Sequence, residues 1–256
     1  MKKIVGLSLG GGGAKGYFHI GALSALSDFD IKFNAVAGTS IGSIVGATYA
    51  LGFSPRDMFQ LIKEMGVFKP SFFIRAKMRG VSLEKIIEKV LGERSFSELK
   101  IPFTAVATNI DTGGSEYLTS GNLCKALAAS STIPPAFSFV KIDGKRLIDG
   151  GFTNLVPVLA VKNFGARNVL AIDLGAHKSS NLGGVRLLDK VYPSHKVKIG
   201  CRSSEKYLAD VVLEPDLSSF STISVNKFYY LYEMGYEYVV KNISYIKEKL
   251  KIKLIR

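Results

Sequence analysis

An α/β fold with a largely parallel sheet is what the sequence predicts, and three observations predict it. Short apolar runs alternate with segments of helical spacing, the pattern of strands linked by crossover helices. Twice, over residues 3–26 and 35–51, an apolar run passes through a glycine-rich turn directly into a helical segment. No solenoid-type repeat, low-complexity tract or clear linker divides the 256 residues, so the chain reads as a single domain over 1–256.

In chain order, residues 3–9 are a short apolar strand, residues 10–13 a loop of four glycines and residues 16–26 a helix. Ala35, Val36 and Ala37 form a short buried strand, residues 38–42 a tight turn and residues 44–51 a helix. Ser54 followed by Pro55 is a helix start, the serine as cap and the proline at the first position. Residues 82–91 are an amphipathic helix closed by Gly92. Residues 102–109 read as a strand, which residues 116–119 can pair. Residues 122–130 are helical, and residues 140–148 form a hairpin around the turn dipeptide Asp143–Gly144. A helix over 157–164, buried strands over 169–174 and 211–213, and a long helix over 227–250 with a break near Gly235 complete the reading. Residues 176–206 are the least regular part, a long loop with seven basic and two acidic residues.

Hydrophobic residues make up 47% of the chain and charged residues 21%, which excludes a disordered or collagen-like chain. Two cysteines, Cys124 and Cys201, are too few for a disulfide framework and fit a reducing compartment. The 34 Lys and Arg against 21 Asp and Glu give a charge of +13. That excess fits an anionic partner, or simply a lysine-rich solubilising surface. Lys2 and Lys3 before an apolar run imitate a signal peptide, but the run breaks into four glycines and Lys15. Residues 33–55 are uncharged and long enough to span a bilayer, yet their many Gly, Ser and Thr residues fit a buried strand–turn–helix better. A cytoplasmic chain is expected, one that touches a membrane only peripherally.

The sharpest motif is Gly38-Thr39-Ser40-Ile41-Gly42, a G-x-S-x-G elbow between a predicted strand and a predicted helix. Such a turn exposes the serine hydroxyl, and the following helix points its positive end at the site. The second motif is Gly10-Gly11-Gly12-Gly13-Ala14-Lys15-Gly16. Its glycines leave backbone N–H groups open to a phosphate or an oxyanion. Gly11, Gly13 and Gly16 match the dinucleotide fingerprint, but no acidic residue follows at the usual distance. The nucleotide-hydrolase phosphate loop is excluded because Gly16, not Ser or Thr, follows Lys15. An oxyanion hole preceding a serine elbow explains both glycine motifs together. The third motif, Asp149-Gly150-Gly151, fits an acidic turn when taken alone.

These motifs, in this order, resemble the patatin-like phospholipase family, in its bacterial form. The segment from Ala107 to Gly113, the run from Ala129 to Phe137, and Asn154 with Pro157 after the Asp-Gly-Gly extend the resemblance. It covers residues 1–174; residues 200–256 align less well. The resemblance implies a three-layer α/β/α fold of the patatin and lysophospholipase type. It also implies a serine acyl hydrolase, an esterase of phospholipase A or lysophospholipase type, acting in lipid degradation through a Ser–Asp dyad. Ser40 is then the nucleophile and Asp149 the base. The N–H groups of Gly11, Gly12 and Gly13 form the oxyanion hole. Lys15, Gly16, Gly38, Gly42, Gly150 and Gly151 support these motifs. Neither metal nor cofactor is implied, and the partner is a lipid or phospholipid rather than nucleic acid.

Two alternatives stand beside the dyad. The order Ser–Asp–His is that of α/β-hydrolases, and His177 or His195 could complete a triad. A nucleotide-binding protein would use the glycine-rich loop alone. His19, on the helix after that loop, reads as a packed, hydrogen-bonded residue. The stripe Phe228, Tyr229, Leu231, Tyr232, Tyr236, Tyr238, Val239 and Ile243 reads as core. Lys247, Lys249, Lys251, Lys253 and Arg256 form a basic tail, a solvated end or an added attraction to a membrane.

Over residues 68–81, Phe68, Phe72, Phe73, Ile74 and Met78 interleave with Lys69, Arg75, Lys77 and Arg79. This fits a contact with an anionic membrane, and equally a core loop whose basic stems cover apolar surface. If the membrane contact holds, charge reversal at Lys69, Arg75, Lys77 and Arg79 weakens sedimentation with anionic vesicles. Unchanged binding discards it.

Overall fold

The structure, a computed structural model, describes residues 4–65, 81–175, 205–222 and 227–252. The described residues build one eight-stranded sheet. Its strands are β1 (Val5–Leu9), β2 (Ala35–Thr39), β3 (Phe103–Asn109), β4 (Ser115–Leu118), β5 (Val140–Ile142), β6 (Lys145–Asp149), β7 (Asn168–Ile172) and β8 (Val211–Leu213). The helices are α1 (Tyr17–Asp28), α2 (Ile41–Leu51), α3 (Pro55–Met65), α4 (Leu83–Leu91), α5 (Leu123–Ser131), α6 (Val158–Lys162) and α7 (Phe228–Lys249). The predicted mixture of elements is recovered, with shifts at the ends where local spacing is least decisive.

Strands β8, β7, β1, β2 and β3 run parallel, and β4, β5 and β6 add an antiparallel portion beyond them. The central strands are buried on both faces, which is why they read as short apolar runs. Alternation sorts their side chains. Leu7, Leu9, Val36, Leu170 and Ile172 join the large core formed with helices α1 to α5 and α7. Ala35, Ala37, Val169 and Ala171 face the other way, onto α6 and Leu155–Val156. Chain order departs in opposite directions from β1, which has β2 on one side and β7 on the other. The glycine-rich loop leaves β1 at this switch point, where open α/β sheets bind ligands.

Capping fixes several boundaries. The hydroxyl of Ser82 and the side-chain oxygen of Asn122 accept N–H groups of Lys85 and Lys125, opening α4 and α5. At the hairpin, Asp143 and Gly144 have φ of 49° and 76°, as a two-residue type I′ turn requires.

Helix α7 is continuous, and the break expected near Gly235 does not occur. That glycine is a contact. A Cβ on Gly235 would collide with the Phe18 carbonyl of α1, and one on Gly21 of α1 would collide with the Tyr232 carbonyl. The two helices thus cross backbone to backbone. The aromatic stripe is core in part: Leu231 and Val239 are buried, whereas Tyr229 is exposed and lies beside Phe59 under the Lys63 ammonium. None of the described helices is long and apolar enough to cross a membrane. The predicted contact over residues 68–81 lies outside the described residues but for Val81, as do His177, His195, Lys253, Arg256 and most of the basic loop over 176–206.

Gly235→Ala is expected to cost about 1–3 kcal/mol by overpacking. Thermal unfolding reads this as a drop of about 2–4 °C per kcal/mol; an unchanged melt contradicts the close crossing.

Candidate active site

The register of β3 brings the serine elbow and the Asp-Gly-Gly turn together. Strand β2 runs parallel to β3 and ends with Thr39 opposite Val106. Strand β6 runs antiparallel and ends with Asp149 opposite Ala107. Strand β4 pairs both Val106 and Ala107 along the other edge of β3. A strand has two edges, so β2 and β6 lie on the same one and meet head-on at their C-terminal ends. Ser40, the next residue after β2, therefore faces Asp149, the last of β6. The serine hydroxyl donates to Asp149 Oδ2 at 2.5 Å. The other carboxylate oxygen, Oδ1, accepts the Gly151 N–H at 2.7 Å.

The elbow is held from several sides. Ser40 has φ 55° and ψ −127°, a left-handed conformation that costs a non-glycine residue about 1–3 kcal/mol. Its N–H donates to Ser130 Oγ at 3.0 Å, whose own hydroxyl donates to the Val106 carbonyl at 2.6 Å. Its carbonyl accepts the Ser43 hydroxyl at 2.7 Å and the Ser43 N–H at 2.8 Å. The flanking glycines are demanded by contact. A Cβ on Gly38 would strike the Gly42 carbonyl, and one on Gly42 the Leu9 carbonyl. Gly150 is similar, since a Cβ there would strike the Val106 carbonyl. Ser40 opens the eleven-residue helix α2, so the helix's positive end lies at the hydroxyl.

The glycine-rich loop passes beside the serine, with a Cβ position on Gly11 only 3.4 Å from Ser40 Cβ. Of the three amides assigned to an oxyanion hole from the sequence, Gly11 is committed elsewhere. Its N–H donates to the Leu155 carbonyl at 3.1 Å, so it ties the loop to the chain after Asp149. Neither the Gly12 nor the Gly13 N–H has an acceptor among the described residues. Gly13 has φ 58° and packs against Thr222, whose carbonyl accepts the Ala14 N–H at 2.8 Å. Gly16 has no room for a side chain against Ile41. Lys15 is only 2% exposed. Burial lowers its pKa, while the charges of Asp216 and Asp173 pull it back up.

His19 sits in α1 beneath the loop, fully buried. Its Nε2 lies 2.8 Å from the Gly10 carbonyl, which can only accept, so Nε2 carries the proton. Burial pushes its pKa down to about 4, leaving the ring neutral. The structure thus gives His19 a holding role on the loop.

The sequence motifs did not single out Ser130, Asn154 or Glu205 for their contacts. Ser130 and Asn154 lie within the quoted segments, but only the fold shows what they bind. Glu205 lies within the irregular loop over 176–206, where no sequence motif assigns it a role. Among the described residues, no group of three or more His, Cys, Asp or Glu side chains could hold a metal ion.

A family model described as patatin-like phospholipase matches residues 7–162. The chain belongs to that family. It is 29% identical over 273 residues to the mouse patatin-like phospholipase domain-containing protein 6, covering 91% of this chain and 20% of that protein. It therefore spans about a fifth of that relative's length. Among solved structures, VipD from Legionella pneumophila superposes with TM-score 0.56 at 11% identity, covering 96% of this chain and 67% of that one. Human GIVD cytosolic phospholipase A2, in complex with methyl gamma-linolenyl fluorophosphonate, gives 0.52 at 12% identity, covering 97% and 58%. These structures share the fold: a mostly parallel central sheet flanked by helices.

His19 generates a pH prediction. Its folded pKa, about 4, lies below the ordinary 6.5, so the unfolded chain takes up the proton first as pH falls. The stability contributed by neutral His19 is complete above pH 6.5 and is lost as pH falls through 4. The loss amounts to up to about 3 kcal/mol. Thermal melts across that window are expected to fall more steeply for the wild type than for His19→Gln, which retains an N–H donor. Parallel profiles contradict the assignment.

Proposed function

We propose that this patatin-like phospholipase family member is a serine acyl hydrolase of lipid esters working through a Ser40–Asp149 dyad. The carrying observation is the direct 2.5 Å bond from the Ser40 hydroxyl to Asp149. In the first half-reaction Ser40 Oγ attacks the ester carbonyl carbon, and Asp149 Oδ2 takes its proton. The N–H groups of Gly12 and Gly13, with the positive end of α2, hold the developing oxyanion. Collapse of the tetrahedral intermediate breaks the ester C–O bond, and the proton on Asp149 passes to the departing alcohol. Water then attacks the acyl-serine, gives its proton to Asp149 and releases the fatty acid. The proton returns to Ser40.

The geometry favours the dyad over a triad. A triad places an imidazole between serine and carboxylate, whereas here the two touch, with the second carboxylate oxygen on Gly151. The glycine-rich loop is likewise spoken for. Gly12 packs on Leu174 and Gly11 is bonded to Leu155, so the loop lies against the serine rather than open for a dinucleotide.

The substrate side is read as an anionic lipid surface, met peripherally, with all 256 residues acting as one domain. The chain carries 34 Lys and Arg against 21 Asp and Glu, a net charge of +13. A positive excess supports attraction to anionic headgroups.

A fluorophosphonate ester probe tests the dyad. The wild type is expected to label. Ser40→Ala abolishes labelling, and Asp149→Asn slows it by about 10²-fold or more. A wild type that does not label removes the proposal. Normal labelling of Asp149→Asn, with loss in His177→Ala or His195→Ala, replaces the dyad by a triad.

A further inference from the structure

We infer that Glu205 is a positioning residue for the Ser40–Asp149 pair, acting through Asn154; the inference rests on the hydrolase reading above. Asn154 and Leu155 touch every working part of the site. The Thr39 hydroxyl, one residue before the nucleophile, donates to the Asn154 carbonyl at 2.9 Å. The Asn154 N–H donates to the Gly150 carbonyl at 2.8 Å, one residue after the base. The Leu155 carbonyl takes the Gly11 N–H of the glycine-rich loop. Nucleophile, base and loop are thus referred to one dipeptide.

Glu205 fixes that dipeptide. Its Oε1 accepts the Asn154 side-chain N–H at 2.7 Å and lies 3.5 Å from the Tyr117 hydroxyl. Its Oε2 accepts the Leu159 N–H at 3.0 Å. Glu205 is 7% exposed and Asn154 fully buried, so water competes little for these bonds. Hydrogen bonds to an ionised acceptor are roughly twice as strong as neutral ones. The buried Asn154 Oδ1 has no partner, so the bond to Glu205 and a 3.4 Å approach of its NH2 to the Tyr117 hydroxyl are the side-chain contacts that orient it. The next residue completes the anchor, as Lys206 Nζ bonds Asp173 at 2.7 Å and Glu214 at 2.9 Å. Asp173 directly follows Ile172, whose carbonyl accepts the Gly10 N–H.

Glu205→Gln retains size, but its NH2 must face one of two donors, Asn154 or Leu159. The expected result is a labelling rate by the fluorophosphonate probe about 10-fold slower, with half-saturating probe concentration unchanged. Thr39→Val, which removes only the hydroxyl at the other end of the chain of bonds, is expected to slow labelling about 3-fold. The double variant Glu205→Gln with Thr39→Val should be no slower than Glu205→Gln, because both act on one path. Glu205→Gln combined with Asn154→Asp re-forms the bond in reverse, amide to carboxylate, and is expected to recover most of the rate. A folded Glu205→Gln that labels as the wild type does, or losses that simply multiply, overturns the inference. If Glu205→Gln does not fold, Thr39→Val decides: a 3-fold loss supports it, and an unchanged rate overturns it. A wild type that does not label removes the hydrolase reading and this inference with it; a labelling wild type with an indifferent Glu205→Gln removes this inference alone.

Discussion

The C-terminal ends of β2 and β6 meet on one edge of β3, and the site depends on that meeting. One strand arrives parallel and stops at Val106; the other arrives antiparallel and stops at Ala107. Residues 109 positions apart in sequence come within 2.5 Å because two ladders share one edge. A one-residue slip in either ladder would send the paired side chains to the opposite face. The register is accordingly pinned from outside the ladders. Ser130 bridges the Val106 carbonyl and the Ser40 N–H, and the Thr108 hydroxyl donates to the Asp149 carbonyl at 2.9 Å.

Strain at Ser40 is tolerated for the same reason. A serine at φ 55° persists only where its surroundings over-determine it. Here its N–H, its carbonyl and its hydroxyl are all bonded, and the glycines on either side allow strand, turn and helix to close on one another. The buried polar groups form connected chains rather than isolated pairs. Thr39, Asn154, Gly150 and Glu205 make one such chain; His19 and Gly10 make a second contact beneath the loop. In a low-dielectric interior such chains rigidify what they connect, and what they connect is the elbow, the carboxylate and the loop.

Residue type made much of this legible. At Gly38, Gly42, Gly150 and Gly13 a backbone carbonyl stands where a Cβ would sit, so these positions leave marks in the sequence even where the carbonyl belongs to a distant segment. The Asp143–Gly144 hairpin and the caps at Ser82 and Asn122 are local. Gly235 misled because a glycine in a helix signals either a break or a close approach, and only the partner helix distinguishes them. The amide of Gly11 misled because a free N–H and one bonded to Leu155 look alike in sequence.

By itself the sequence determined the alternation of strands and helices, the elbow, the Asp-Gly-Gly turn and the glycine-rich loop as candidate site segments, and the family they resemble. These follow from hydrophobic period and from glycines clustered in short motifs. Tertiary structure alone decided the head-on approach of β2 and β6, the commitment of the Gly11 amide, the backbone crossing at Gly21 and Gly235, and the reach of Glu205 to Asn154. Each is a pairing across a long stretch of chain. Such pairings are set by sheet register and buried hydrogen-bond satisfaction, and neither leaves a periodic mark in the residues that make them.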